Sequence, residues 1–336
     1  MKNKRLLIFG GSGSLGIALI KRLIDKNKLS IFSRDESKHW KIKNKIKSSN
    51  ISFAIGDIRD YCRVKEVIVK EKPDIIIIAS ALKYVDVCEL TPQESILTNI
   101  NGPQNVVNAV VNKIDILPNL ETVLMVSTDK ACEPINVYGM CKALAERLTV
   151  DNYRYFQTPK FLVTRYGNVL QSRGSIIPLF MYQAQNPEEK YFTLTREDMT
   201  RFLMTLDDSV KLILDAIEKG ESGETWIPRL KSMRVKDLVE LFSEIYKKPI
   251  KIIGIRPGEK IHESLINQTE SIRTVNTGKQ YIIKPIHENK IYNVELYNYN
   301  SSQNIMDKNS LFTYLDSLNI FKDDVSKIVE RMDEEY

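Results

Sequence analysis

The 336-residue sequence predicts an α/β fold: a doubly wound parallel sheet carrying a smaller, interleaved C-terminal lobe. Three observations lead there. Short β-branched runs alternate with amphipathic stretches through the first half, a glycine-rich turn joins the first run to the first helix, and after about Arg165 the elements shorten and turn residues multiply.

The first strand is RLLIFG, and SLGIALIKRLIDK after it has apolar residues at helical spacing. LSIFSR and ISFAIGD are the second and third strands, each followed by a helical segment. The lysine-dense SKHWKIKNKIK between them reads as a solvated face, not a nucleic-acid-binding block. PDIIIIAS is a fourth strand, because so short an apolar run suits a strand buried on both faces and cannot cross a bilayer. A long stretch from about Pro92 to Asn112 then precedes the strand ETVLMVST. Beyond Arg165, SRGSIIP, QNPEEK and RPGEK mark turns, while MTLDDSVKLILDAIEKG is a clear helix with Gly220 as its stop. That helix is expected to pack back on the sheet. The chain therefore divides into residues 1–165, joined by the helix at about 203–220, and a smaller lobe with a tail from 166–202 and 221–336. NVELYNYNSSQN reads as a polar loop before a final helix, without chemistry of its own.

Bulk properties exclude several classes. Hydrophobic residues at 43% and charged residues at 27% describe a soluble globular protein, with neither disorder nor a membrane span. The net charge of +6 is spread along helical stretches, so no nucleic-acid partner is expected. The start MKNKRLLIFGGSG is basic then apolar, but it breaks into glycines without a cleavage site, which points to an unprocessed cytoplasmic protein. Cys62, Cys88, Cys132 and Cys141 are scattered without CxxC pairing and read as reduced thiols. With only His39, His262 and His287, neither a three-histidine metal site nor a Ser-His-Asp hydrolase is expected. The bias to lysine, asparagine and isoleucine suggests an AT-rich genome, bacterial or large-virus.

Gly10, Ser12, Gly13, Ser14, Leu15 and Gly16 follow a strand and open a helix, the placement of a Rossmann-like dinucleotide site. Glycines there allow the turn and let backbone approach a pyrophosphate at the helix N-terminus. At the end of the second strand, Ser33 and Arg34 suit a 2′-phosphate and favour NADP, with Asp35 beside them as the one acid that could favour NAD. Asp57 and Ile58, after the third strand, sit where an adenine edge could bind.

Tyr138 and Lys142 lie four apart in YGMCKALAERL, so they project from one helical face. An ammonium and an oxidised nicotinamide nearby would lower the phenol from about 10 toward neutrality, making a general base for a sugar hydroxyl. Thr128 stands at a strand end, and Asp129 and Lys130 directly follow it.

Together, GGSGSLG, GDIRD, ALKYVDVCELTP, TNINGPQNVVNA, STDKA, PINVYGMCK, RYGNV, MTRF and IRPGEKIHE make the chain resemble the inverting UDP-N-acetylglucosamine 4,6-dehydratases of the extended short-chain dehydrogenase/reductase superfamily. Matching segments run from Gly10 to about Glu263. The resemblance implies that Tyr138, with Thr128 and Lys142, serves oxidation at C4, that Lys130 takes the C5 proton, and that Asp129 protonates the departing C6 hydroxyl. A lysine at position 130 is associated with inversion, so the implied product is a 4-keto-6-deoxy sugar of the L-arabino configuration. Moving a proton from Lys130 to Asp129 changes no net charge, and desolvation in a closed site favours that neutral pair.

By the same resemblance Ala79, Ala81, Lys83 and Asn99 join the NADP contacts, and Lys83, Asn168, Arg173, Arg201, Arg256 and Glu259 contact UDP-GlcNAc. A homodimer or homohexamer is implied. A nucleotide-sugar 4-epimerase is the nearest rival, needing Tyr138 and Lys142 but not Asp129 and Lys130. A non-catalytic NADP-sensing regulator on the same fold is a rival of another class.

Overall fold

A computed structural model of the chain describes residues 1–170, 172, 175–288 and 290–321. From Arg5–Phe9 (β1) the chain enters helix Ser14–Leu23 (α1) and returns as Lys28–Ser33 (β2). Helix Glu36–Ile46 (α2) then leads to Ile51–Ile55 (β3), and helix Tyr61–Glu71 (α3) to the wholly buried Ile75–Ile78 (β4). Asp35 and Asp60 cap α2 and α3 by accepting the backbone N–H of Lys38 and Arg63. On α2 only His39 and Ile42 are buried, so its lysines form the solvated face read from the sequence.

The expected helix at 92–112 is interrupted. Val85–Leu90 (α4) and Pro92–Ile96 (α5) are followed by a wide π turn at Leu97–Asn101, and only then by Gly102–Val111 (α6). Pro103 lacks the N–H that a regular α-helix needs at that point, and the wide turn points Asn99 inward. Thr122–Thr128 (β5), Val137–Val150 (α7) and Lys160–Tyr166 (β6) complete the first half.

Helix Ile176–Gln185 (α8) and strands Phe192–Leu194 (β7) and Thr200–Leu203 (β8) begin the smaller layers. Helix Leu206–Lys219 (α9), started by a Thr205/Asp208 capping box, packs against α1, β5 and β6, as its apolar stripe requires. Thr225–Pro228 (β9), Lys231–Arg234 (β10), Val235–Tyr246 (α10), Ile250–Ile252 (β11) and Ser264–Ile266 (β12) follow. The described chain closes with Gln268–Ser271 (α11), Thr274–Asn276 (β13), Gln280–Ile283 (β14), Tyr299–Asn300 (β15) and Lys308–Ser317 (α12).

The main sheet has nine strands in the order β13-β14-β9-β6-β5-β4-β1-β2-β3. Read from β3, its first six follow the 3-2-1-4-5-6 order of a doubly wound dinucleotide fold, all parallel. β9 runs parallel to β6, whereas β14 and β13 add antiparallel at the edge. The division drawn at residue 165 therefore shifts, because three strands from the segment assigned to the smaller lobe extend the main sheet. Apolar clusters cover both sheet faces, and a third, around Phe180, Phe192 and Phe242 with ring centroids 5.4 to 5.8 Å apart, holds the smaller layers. The polar stretch before α12 is not all loop: β15 pairs with β12. Among the described residues, no helix is long and apolar enough to cross a membrane.

Candidate active site

A cavity of about 990 Å³ opens at the carboxyl ends of the parallel strands, where the strand order reverses between β1 and β4. Gly10, Ser12, Gly13, Ser14, Leu15 and Gly16 line it, with Ser33, Arg34, Asp57 and Ile58 after β2 and β3, and Ala79, Ala81 and Lys83 after β4. Thr128, Lys130, Tyr138, Lys142, Asn168, Arg256 and Glu259 line the same cavity.

The glycine turn is a cradle for backbone approach. Gly10 has φ +81°, and a Cβ there would lie 2.6 Å from the Ser80 nitrogen, so only glycine fits. Helix α1 has no side-chain cap and no acid in its first turn, which leaves its N-terminal N–H groups and positive dipole end open to the cavity. These features fit a dinucleotide phosphate. Arg34 stands 3.7 Å from Asp57, which Arg59 also holds at 2.6 Å. Asp35 is occupied as the cap of α2 and pairs with Lys38 at 3.6 Å.

Strand β5 and helix α7 deliver the reactive groups. Asn136 caps α7 through Gly139 N–H at 2.7 Å, while its amide donates to the Gly258 carbonyl at 2.7 Å, tying the helix to the loop that carries Arg256 and Glu259. A Cβ on Gly139 would lie 2.2 Å from the Lys130 carbonyl oxygen, so glycine lets α7 press against the turn after β5. One turn along the same face, Tyr138 and Lys142 are both buried against the cavity. The Lys142 ammonium donates to the Val126 carbonyl at 2.6 Å, and burial lowers its pKa to about 8. Burial pushes Tyr138 up to about 12, with Lys130 the cation pulling it down. The protein groups alone thus leave the phenol protonated, and the lowering expected for Tyr138 is one that an oxidised nicotinamide would have to complete.

Lys130 sits at the centre of a buried ionic cluster. Its ammonium donates to Asp129 Oδ1 at 3.1 Å and to Asn168 Oδ1 at 3.0 Å, and lies 3.2 Å from Glu263 Oε1. Burial works to lower the Lys130 pKa, but the two carboxylates outweigh it and hold the group protonated. Asp129 is fully buried, and burial, aided by Glu263 and opposed by Lys130, raises its pKa. Thr128 Oγ1 donates to Asp129 Oδ1 at 2.9 Å.

Three sequence-predicted residues do not reach the cavity wall. Asp129 lies behind Thr128 and Lys130. Asn99 is fully buried and clamps Leu82, accepting its N–H and donating to its carbonyl at 2.9 Å each, so it holds the loop after β4 and touches no ligand space. Arg201 donates to the Thr200 and Ile261 carbonyls at 2.7 and 3.2 Å and faces Glu263 at 4.0 Å. Arg173 lies outside the described residues. Glu263, Asn136 and His39 were missed. Glu263 lay within the quoted IRPGEKIHE, and Asn136 occupies a recognisable N-cap position.

Known proteins place this geometry. The model of the polysaccharide biosynthesis protein family matches residues 6–285. A Rickettsia bellii protein named UDP-glucose 4-epimerase is 40% identical over 292 residues, covering 84% of this chain and 83% of its own. The structure of Pen from Bacillus thuringiensis superposes with a TM-score of 0.86 at 31% identity, covering 95% of this chain and 99% of that one. DesIV, a dTDP-glucose 4,6-dehydratase from Streptomyces venezuelae solved with NAD and TYD, shares the fold with a TM-score of 0.66 at 19% identity, over 76% of this chain and 86% of that one. The chain belongs to the polysaccharide biosynthesis protein family, extended short-chain dehydrogenase/reductase enzymes that modify nucleotide sugars.

Proposed function

We propose that this chain is an NADP-dependent UDP-N-acetylglucosamine 4,6-dehydratase that inverts C5, giving UDP-2-acetamido-2,6-dideoxy-β-L-arabino-hex-4-ulose for amino-deoxysugar glycan synthesis. The observation that carries the reading is a second proton-handling pair beside Tyr138, a buried Asp129 and a half-buried Lys130, opening through Thr128 and Lys130 onto one cavity. Oxidation at C4 requires one base, whereas elimination across C5 and C6 requires a second base and an acid.

A bound nicotinamide dinucleotide supplies the hydride acceptor at C4 and the hydride donor at C6. Tyr138 Oη takes the proton of the C4 hydroxyl, and Lys142, anchored on Val126, provides the neighbouring charge. Lys130 Nζ removes the C5 proton, which the new ketone makes acidic. Asp129 supplies the proton for the departing C6 hydroxyl, and because Asp129 is closed off from the cavity, that proton passes through Thr128 Oγ1. In this reading Lys83, Asn168, Arg256 and Glu259, which line the cavity, hold the UDP-sugar, with Arg256 and Glu259 paired at 3.2 Å. The six strands β1 to β6, with α9, form the NADP-binding part, and the smaller layers bind the nucleotide sugar.

The 2′-phosphate preference is supported by His39. Its Nε2 lies 2.5 Å from Ser33 Oγ, while its buried Nδ1 has no partner. Orphaned N–H groups are rarer than orphaned acceptors, so the proton belongs on Nε2, which donates to Ser33. The Ser33 hydroxyl is then left to donate into the cavity beside Arg34 and Lys38, as an acceptor-only phosphate requires.

Because Met140, Leu144 and Leu148 expose 52%, 49% and 37% of their surface at one-turn spacing on α7, we also propose a homodimer or homohexamer. A cytoplasmic site of action is proposed, since nucleotide sugars of this kind are soluble metabolites.

A UDP-sugar 4-epimerase is the second reading, favoured by the name of the Rickettsia relative. Mass analysis of UDP-GlcNAc incubated with the protein and NADP separates them. Loss of one water supports the dehydratase, whereas unchanged mass with a new C4 epimer establishes the epimerase.

A further inference from the structure

Glu263 carries a charge to which the proposed chemistry gives no role. It lies directly before β12, is 2% exposed, and its Oε2 has no hydrogen-bond partner. Its backbone is fixed from the residue directly after β15, where Ser301 Oγ accepts the Glu263 N–H at 2.9 Å and Ser301 N–H donates back to the Glu263 carbonyl at 2.8 Å. With Glu263 counted, the Lys130 ammonium has three acceptors, Asp129 at 3.1 Å, Asn168 at 3.0 Å and Glu263 at 3.2 Å. An ammonium has three N–H bonds and no lone pair, so this geometry is a protonated resting form that can accept nothing until one proton leaves.

Two carboxylates could take that proton, and their surroundings differ. Glu263 is faced by Lys130 from the turn after β5, by Arg201 from β8 at 4.0 Å, and by Lys260 from its own loop, with Asp129 as the opposing anion. The neighbouring His262 is turned to Thr200 Oγ1 at 2.9 Å. Asp129 has Lys130 as its cation and Glu263 as a repelling neighbour. Burial disfavours charge on both, yet the cations hold Glu263 below its ordinary value while Asp129 is driven above its own. Environments that separate two titratable groups assign their roles. The proton from Lys130 goes to Asp129, and Glu263 stays ionised.

We infer that Glu263 is a positioning residue and the resident counter-ion of Lys130, remaining anionic while Asp129 holds the proton and stabilising the ammonium that forms when Lys130 Nζ takes the C5 proton. The inference rests on the dehydratase reading. As the C5–H bond breaks, its electron pair enters the enolate of the 4-ketone and its proton joins Nζ. Asp129 is still neutral at that moment, so among the described residues Glu263 is the anion beside the new positive charge. Asp129 then passes its proton through Thr128 to the C6 oxygen, and the enolate pair expels water.

The test compares wild type with Glu263→Gln and Glu263→Asp, reading three quantities across pH in deuterated buffer: the 4-keto sugar trapped by borodeuteride, deuterium uptake at C5, and water loss by mass. Glu263→Gln is expected to leave C4 oxidation within about threefold while slowing C5 exchange about 100-fold. The basic limb of its profile should move down by about one pH unit, because the remaining pair loses its last proton sooner. Glu263→Asp keeps the charge and should keep the limb. C5 exchange at the wild-type rate and pH profile in Glu263→Gln overturns the inference alone. A wild type that oxidises C4 but neither exchanges C5 nor loses water overturns the dehydratase reading and the inference together. Should Glu263→Gln not fold, Arg201→Gln replaces it: removing that cation lets Glu263 protonate and should raise the acid limb, and an unmoved limb counts against the inference.

Discussion

The Thr128 hydroxyl donates to the Asp129 carboxylate at 2.9 Å, and of the two only Thr128 lines the cavity. An acid sealed from its substrate acts through the group that touches both. Thr128→Val keeps the shape and removes the relay, so kcat for water loss should fall about 100-fold with KM little changed. Thr128→Ser should retain most of the rate. Equal rates for the valine and serine variants would mean that Asp129 does not use this path.

Lys130 and Tyr138 serve different steps from adjoining positions. Lys130→Met should lose water elimination by about 100-fold or more while the trapped 4-keto sugar is still formed. Tyr138→Phe should abolish both, because no later step proceeds without the ketone. Quench-and-trap mass analysis of the two variants reads the distinction directly.

Cofactor preference depends on Arg34, Lys38 and the Ser33 hydroxyl oriented by His39. Arg34→Ala should raise the Kd for NADP about tenfold, the loss of one charge-assisted contact, and leave NAD binding nearly unchanged. His39→Phe should weaken NADP by a smaller factor. Fluorescence titration with both dinucleotides checks this.

Stability should depend on the buried triad in which Arg165 bridges Glu146 at 2.5 Å and Glu270 at 2.8 Å. Burial alone would raise Glu270, but Arg165 outweighs it and holds the pKa at about 2 against an ordinary 4.5. A depressed carboxylate pKa gives stability that is present in full above 4.5 and lost as pH falls through about 2. Glu270→Gln leaves the guanidinium half-paired and should cost about 3 kcal/mol at neutral pH. Urea unfolding should show the gap from wild type narrowing on acidification.

The parallel strands were legible because β-branched runs such as IIIIAS declare themselves by composition, and the cofactor turn because its glycines sit between a strand and a helix. β9, β13 and β14 were not, since three- and four-residue strands carry little periodicity and their places in the sheet depend on distant partners. The same limit hid Glu263. Its meaning arises only when β12 pairs with β15 and brings it against Lys130, so that Ser301, in a stretch read as plain loop, fixes the backbone of a residue in the site. Asn99 was expected among the cofactor contacts, but a sequence cannot show that a π turn directs its amide to Leu82 and away from the cavity.

Turnover of UDP-GlcNAc in deuterated water, with less than stoichiometric NADP and proton NMR of the nucleotide sugar, bears most directly on the Asp129–Lys130 pair. One solvent deuterium at an inverted C5, together with loss of one water, is the expected result. Retained C5 configuration would remove the stereochemical role of Lys130, and a C4 epimer that carries its original C5 proton would contradict the dehydratase outright.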